Sequence, residues 1–243
     1  MVDSRMGLQY RLDSVRKQIA SAAQRSNRAA EEITLVAVSK THPAERVREA
    51  LEFGASDFGE NRVQEAEGKI VEVGRGAATW HLIGHLQTNK ARKAVGLFDV
   101  IHSLDSVSLA QRLEQCCIEE GRDELRVLVQ VDLAGEATKS GLPPDGVPEL
   151  VKVIGHASRL KLAGLMVLPP FFEDTEMVRP FFSRLRKLRD ELQAEGLFGQ
   201  KPGELSMGMT HDFEVAIEEG ATMLRIGTAI FGERQPRGLI TVA

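Results

Sequence analysis

Cysteine is nearly missing from this chain of 243 residues, and its two copies, Cys116 and Cys117, are adjacent. Neighbouring thiols cannot build an ordinary disulfide framework or a four-ligand zinc site, so both are expected as small core residues. A surplus of one charge is missing as well: 31 Lys and Arg against 35 Asp and Glu leave a net charge of -4. With the signs intermixed there is no broad basic face for nucleic acid. The clusters KARK at 90–93 and RLRKLR at 184–189 read as solvated helix faces. No apolar run is long enough to span a bilayer, and the N-terminus lacks a signal-peptide core. No Pro/Gly/Ser-rich linker, charge block or low-complexity stretch divides the chain. A cytoplasmic protein of one domain, residues 1–243, is expected, and a composition of 42% apolar and 27% charged residues can bury a full core.

What the chain does have is a recurring period: a short run rich in Val, Ile and Leu, a helical pattern, then another short run. Strands are predicted at 34–40, 57–60, 79–84, 99–104, 126–133, 160–168, 204–209 and 223–231. The clearest helix is predicted at 177–195, where Val178, Phe181, Phe182, Leu185, Leu188 and Leu192 recur at steps of three and four. Leu8, Leu12, Val15 and Ile19 repeat that spacing ahead of the first strand and predict an extra opening helix. Eight βα units of this size fit an α/β fold, a closed (β/α)8 TIM barrel, with an open doubly wound sheet as the alternative. Too few residues follow the eighth strand for a long last helix, and the opening helix is expected to cover that gap.

The run LVAVSK at 35–40 ends an apolar strand on a cation. Side chains alternate along a strand, so Val36, Val38 and Lys40 share a face, which in a barrel is the interior at the C-terminal rim. There Lys40 is either a lysine snorkelling to water or a desolvated amine able to attack a carbonyl and form a Schiff base. Near the other end of the chain, SMGM at 206–209 and RIGTAIFG at 225–232 place Ser206, Gly208, Gly227 and Thr228 at the ends of strands seven and eight. Barrels often grip phosphate at those two loops, with backbone N–H groups that glycine lets approach closely and with a hydroxyl donor. Arg225 shares the parity of Gly227 and faces the interior below that point. A guanidinium there needs a partner, either a carboxylate from another strand or a ring nitrogen of a ligand. An aldehyde, a phosphate and a ring nitrogen together describe pyridoxal 5′-phosphate (PLP).

Other polar residues have two readings each. Asn61, just past the second strand, is either a cofactor contact or a helix N-cap. His81 and His85 are four apart, but WHLIGH reads as a strand running into a loop, so no metal site is expected; His81 is expected to line the barrel mouth and HLQTNK to form a rim loop. His211 and Asp212 are expected to start a helix capped by Thr210 or Asp212.

The motifs LVAVSKTHP, FGENRVQEA (58–66), WHLIGHLQTNK (80–90), HSLDS (102–106) and LSMGMTHDFEVAIEEGATMLRIGTAIFGER (205–234) occur in order along nearly the whole chain. In them the chain resembles the PLP homeostasis proteins, small PLP-binding barrels related to the N-terminal barrel of alanine racemase. The resemblance implies a barrel of PLP fold type III that carries PLP as an aldimine on Lys40. It also implies phosphate contacts from Ser206, Gly227 and Thr228, and Arg225 beside the pyridine nitrogen. GLMVLPP at 164–170 and SMGMTHD at 206–212 depart from the runs usual in that family, which bears on the pocket walls rather than its anchors.

The implied function is intracellular PLP (vitamin B6) homeostasis and amino-acid balance without strong catalysis, with free amino acids and apo-PLP enzymes as partners. Racemases of this fold use a second base, a tyrosine from a further domain, whereas the sole tyrosine here, Tyr10, lies in the opening helix. Arginine at the ring nitrogen also leaves the pyridine neutral and a poor electron sink. The alternatives are a single-domain PLP enzyme such as a weak racemase using Lys40 and water, and a phosphate-binding barrel enzyme of biosynthesis with a catalytic Lys40.

Overall fold

Eight short strands, all parallel, run β1 (Thr34–Val38), β2 (Asp57–Glu60), β3 (Thr79–Leu82), β4 (Val100–Leu104), β5 (Leu125–Val131), β6 (Leu160–Val167), β7 (Glu204–Ser206) and β8 (Met223–Ile226). They hydrogen-bond in chain order, and β8 closes on β1, so the open-sheet alternative is excluded. This computed structural model describes residues 2–135, 140–200 and 202–233, with side chains described from residue 5.

Each strand supplies two faces, and the faces have different partners. Odd-even alternation sends Ala37, Phe58, Leu82, Ile101, Val127, Val129, Leu165, Leu205 and Leu224 outward into one continuous apolar layer beneath the helices. The inward apolar side chains include Val36 and Val38 and a small cluster of Val100, Leu128, Met166 and Met223, and polar side chains occupy much of the rest of the interior. The helices on the outside are α2 (Ala44–Glu52), α3 (Val63–Val73), α4 (Ala91–Leu97), α5 (Val107–Glu119), α6 (Val147–His156), α7 (Arg179–Ala194) and α8 (Phe213–Glu218). Cys116 and Cys117 sit buried on α5 as unpaired thiols, and burial pushes Cys117 up to about 11.

The opening helix is α1 (Val2–Arg25). Leu8, Leu12, Val15 and Ile19 are all buried, and α1 packs against α8, α2 and the short last helix α9 (Thr228–Phe231). It thereby packs over the side of the barrel where the described chain ends in the four-residue α9. Arg11 donates to the carbonyl of Ile230 at 2.8 Å, which ties α1 to the end of α9. Among the described residues no helix is long and apolar enough to cross a membrane.

Most predicted strands run long at their C-terminal ends. The 223–231 run is the largest discrepancy: the strand stops at Ile226 and the chain turns into α9. The reason is shared by the strands that run long, since parallel strands end where the βα loop leaves the ladder while the apolar pattern continues into the loop that packs over the barrel; β2 and β4 end where predicted.

Candidate functional site

Barrel closure places the two ends of the sequence pattern side by side. β8 pairs with β1 in the register Ala37↔Ile226, so the residues after each strand meet on the same rim. A Cβ added to Gly227 would come 3.3 Å from the carbonyl oxygen of Val38, two residues before Lys40. On the other flank the N–H of Arg225 bonds to the carbonyl of Gly208, joining the loop after β7 to β8. Asn61 follows β2, the other neighbour of β1. Lys40, Asn61, Ser206, Arg225, Gly227 and Thr228 therefore come from one arc, β7–β8–β1–β2.

Lys40 is not on the strand itself but two residues beyond it, half-buried in a tight turn whose next residue, Thr41, has φ +68°. A non-glycine residue in that region is costly and must be held by its surroundings. Here the holders are visible. Buried Lys69 of α3 donates to the carbonyl of Ser39 at 2.7 Å and to Glu60 Oε1 at 2.5 Å, and the Ser39 hydroxyl donates to the same Glu60 oxygen at 2.6 Å. Glu65 of α3 accepts the N–H of Thr41. The backbone on both sides of Lys40 is thus fixed by one α3 cation and one α3 carboxylate. Burial pushes the Glu60 carboxyl above its ordinary range, against the pull of Lys69 and of the Ser39 hydrogen bond. Beyond the turn, His42 stacks on Phe231 of α9 with ring centroids 5.0 Å apart.

Below the rim, a column of polar side chains crosses the barrel interior. Arg225, 3% exposed, donates to Ser206 Oγ at 2.5 Å and to the carbonyl of Val167 at 2.8 Å. Ser206 Oγ lies 2.8 Å from His102 Nδ1; His102 Nε2 lies 2.9 Å from His81 Nδ1; and His81 Nε2 lies 3.0 Å from Asp57 Oδ1. Burial, and after it the charges of His81, Arg225 and Arg126, hold His102 well below the ordinary imidazole range. Burial raises Asp57, but hydrogen bonds from His81 and Ser56 outweigh it and keep that carboxyl below its ordinary value. Arg225 is lowered to about 10 by burial, with the nearby Asp212 opposing, so it remains a cation at neutral pH.

Several expectations are resolved at this level. His81 does not line the mouth: it is buried in the barrel interior, reaching down to Asp57, because its position in the short β3 points it inward one layer below the rim. His85 is exposed on the rim 3.4 Å from Asp105, so the two histidines face different surroundings. The cap of α3 is Arg62, not Asn61, and no side chain caps it, which removes the capping role for Asn61. Asn61 instead helps line a rim depression of about 360 Å³ with Arg62, His85 and Lys90. Asp212 does occupy the N-cap position of α8, but its carboxylate accepts the N–H of Met209 and no residue of the helix. Arg234, which closes the last motif, and Lys139 lie outside the described residues.

Asp57, Glu60, Glu65, Lys69 and His102 were not singled out from the sequence. The signal for Asp57 and His102 was parity, since each sits at an inward position of a barrel strand where apolar residues are the default. Lys69 carried no such signal, because a lysine on an amphipathic helix normally points to water.

The donor set fits PLP. Arg225 forms hydrogen bonds to neutral oxygens, Ser206 Oγ and the Val167 carbonyl, and among the described residues no ion pair to it is present. The carboxylate partner considered for it is thus replaced by Asp212 acting through space, and the guanidinium suits a ring nitrogen that accepts. Fold and site together define a parallel α/β barrel with an amine and glycine-bearing loops gathered on one rim and a guanidinium buried below them.

The comparisons agree with that class. The family described as "Alanine racemase, N-terminal domain" matches residues 11–235, and the chain belongs to it. The pyridoxal phosphate homeostasis protein of Aquifex aeolicus (strain VF5) is 44% identical over 225 residues, covering 93% of this chain and 97% of that one. PipY of Synechococcus elongatus PCC7942, solved with PLP bound, superposes with a TM-score of 0.79 at 39% identity over 93% of this chain and 100% of its own. Alanine racemase of Clostridium difficile 630 shares the fold at a TM-score of 0.71 and 15% identity, over 95% of this chain and 58% of that one.

Proposed function

We propose that this chain is a PLP-binding protein of PLP homeostasis that holds the cofactor covalently on Lys40. The observation that carries the reading is the β8–β1 seam, which brings the turn after Lys40 and Gly227 to one rim above the buried Arg225 in a chain 44% identical to a PLP homeostasis protein.

Each residue then has a task. The ε-amine of Lys40 meets the aldehyde, with its backbone preset by Lys69 and Glu65. Gly227 and Thr228 take the phosphate, with Ser206 below them; Arg225 faces the pyridine nitrogen; Asn61 closes the side toward β2. When bound, PLP supplies an electrophilic carbon for amines and an electron-withdrawing ring. Arg225, still protonated at neutral pH, cannot protonate that ring in exchange for its own charge, so the ring is a weak electron sink. Tyr10, the sole tyrosine, stands exposed on α1. A holder that exchanges PLP with free amino acids and with apo-PLP enzymes in the cytoplasm follows, rather than a racemase.

The test combines three readings on one preparation, with Lys40→Ala as control. Apo-protein given PLP should develop visible absorbance, and borohydride should fix the cofactor to the peptide containing Lys40. The holo-protein should reactivate an apo-PLP enzyme while leaving the α-proton of alanine unexchanged in heavy water. A label on Lys90 or Lys139 would refute the site, and rapid α-deuteration dependent on Lys40 would replace the holder with an enzyme.

A further inference from the structure

The interior column has a direction, and the direction is fixed by chemistry. Arg225 can only donate, so Ser206 Oγ accepts there. At the other end the Asp57 carboxylate can only accept, so with both imidazoles neutral His81 carries its proton on Nε2 and presents a bare Nδ1 to His102. His102 therefore carries its proton on Nε2, and its bare Nδ1 takes the single proton of Ser206 Oγ. Four hydrogen bonds thus run one way, from a buried cation to a carboxylate. The Asp57 side chain is 20% exposed and lines a separate depression of about 350 Å³ beside Arg16, Thr34 and Ser56.

This arrangement commits the Ser206 hydroxyl. While the column is neutral, the proton of Ser206 belongs to His102 and is not available to a ligand. One added proton reverses the order. A proton reaching the buried Ser206 Oγ lets the serine proton pass to His102 Nδ1 and the His102 proton pass from Nε2 to His81 Nδ1. His81 is then an imidazolium against Asp57, His102 donates to Ser206, and the new serine proton points outward. Each proton moves one place along a hydrogen bond already present, and the net change is the uptake of one proton.

We propose that Asp57, His81 and His102 form a proton-coupled switch on the Ser206 hydroxyl, which frees that hydroxyl for an oxygen of a phosphomonoester dianion only when the column has taken up a proton. The proposal rests on the PLP reading above and deepens it. The groups facing the column are Arg126 and Arg225, which oppose its protonation, and Asp57 and Asp212, which favour it. An incoming dianion tips that balance toward uptake, and by linkage a protonated column binds phosphate more tightly. Asp57, His81 and His102 are positioning residues in this scheme, since none touches the cofactor.

The experiment measures proton uptake on binding of PLP and of pyridoxal to the apo-protein, by calorimetry in buffers of different ionisation enthalpy. It is run well above the phosphate's second pKa of about 6, so that PLP arrives as a dianion. Chemistry at Lys40 is common to both ligands and cancels in the difference. PLP should take up about one proton more than pyridoxal, and its affinity relative to pyridoxal should fall about tenfold per pH unit on raising the pH. In Asp57→Asn, which no longer stabilises an imidazolium at His81, the extra uptake should vanish. Should that variant fold poorly, nitrogen-15 spectra of the unaltered protein give the same answer: both histidines protonated on Nε2 alone without ligand, His81 doubly protonated with PLP. PLP binding with no excess proton, or unchanged imidazole nitrogens, overturns the switch and leaves the PLP reading intact. Failure to bind PLP at all overturns the reading itself.

Discussion

Replacing Lys69 by methionine leaves a buried carboxylate without its cation. Lys69 and Glu60 are both buried and meet at 2.5 Å; once the ammonium is gone, Glu60 keeps only the Ser39 hydroxyl, while its Oε2 already has no partner. Methionine fills the space of the lysine stem, so no cavity contributes. Breaking a buried pair from one side costs about 3–5 kcal/mol. At about 2–4 °C per kcal/mol for a chain of this size, the melting temperature should fall by about 6–20 °C. The pH dependence has a definite sign. Burial already raises Glu60 above its ordinary value of 4.5 against the pull of Lys69, and removing Lys69 raises it further. A carboxyl with a raised native pKa binds its proton more tightly folded than unfolded, so the variant gains stability as the pH falls through that raised value toward 4.5. The deficit against the parent should therefore shrink on acidification. Urea unfolding followed by the single buried tryptophan, Trp80, measures it. Adding Glu60→Gln to Lys69→Met should recover most of the loss, since a neutral amide needs no counter-ion. Because Lys69 also holds the carbonyl of Ser39, capture of PLP should slow in the single variant. A loss below about 1 kcal/mol, in the range of an exposed pair, or a deficit that grows on acidification, would refute the account of the Lys40 turn.

Two further outcomes are expected. Gly227→Val puts a branched side chain where a Cβ alone stands 3.3 Å from the Val38 carbonyl. PLP retention should drop by the worth of a charged hydrogen bond, about 1.5–3 kcal/mol or tenfold and more, while pyridoxal binding changes much less; equal losses in a dialysis assay would argue against a phosphate role. Gly208→Ala combines φ +92° with a Cβ 2.6 Å from that of Ala216, so backbone strain and overlap of about 1–3 kcal/mol each should lower the urea midpoint, and an unchanged midpoint would mean the β7 loop can be rebuilt freely.

The sequence alone determined the barrel, because eight apolar runs alternating with amphipathic helices leave few other ways to bury both faces of a parallel sheet. It also determined α1, whose apolar stripe has no function except to cover something. The inward placement of Arg225 was legible for the same reason, as it breaks an apolar pattern at a position of known parity, whereas Lys40 lies two residues beyond β1, where strand parity no longer applies. What the sequence left open depended on partners distant in the chain. Whether Asn61 capped a helix depended on where α3 began, and whether Lys69 met water or Glu60 depended on how α3 lay over the end of β2. Asp57, His81, His102 and Ser206 come from four strands spread over 150 residues of sequence, and each alone is an ordinary polar residue. Only closure of the barrel sets them at hydrogen-bonding distance inside a space that excludes water, and there four unremarkable side chains acquire a common direction.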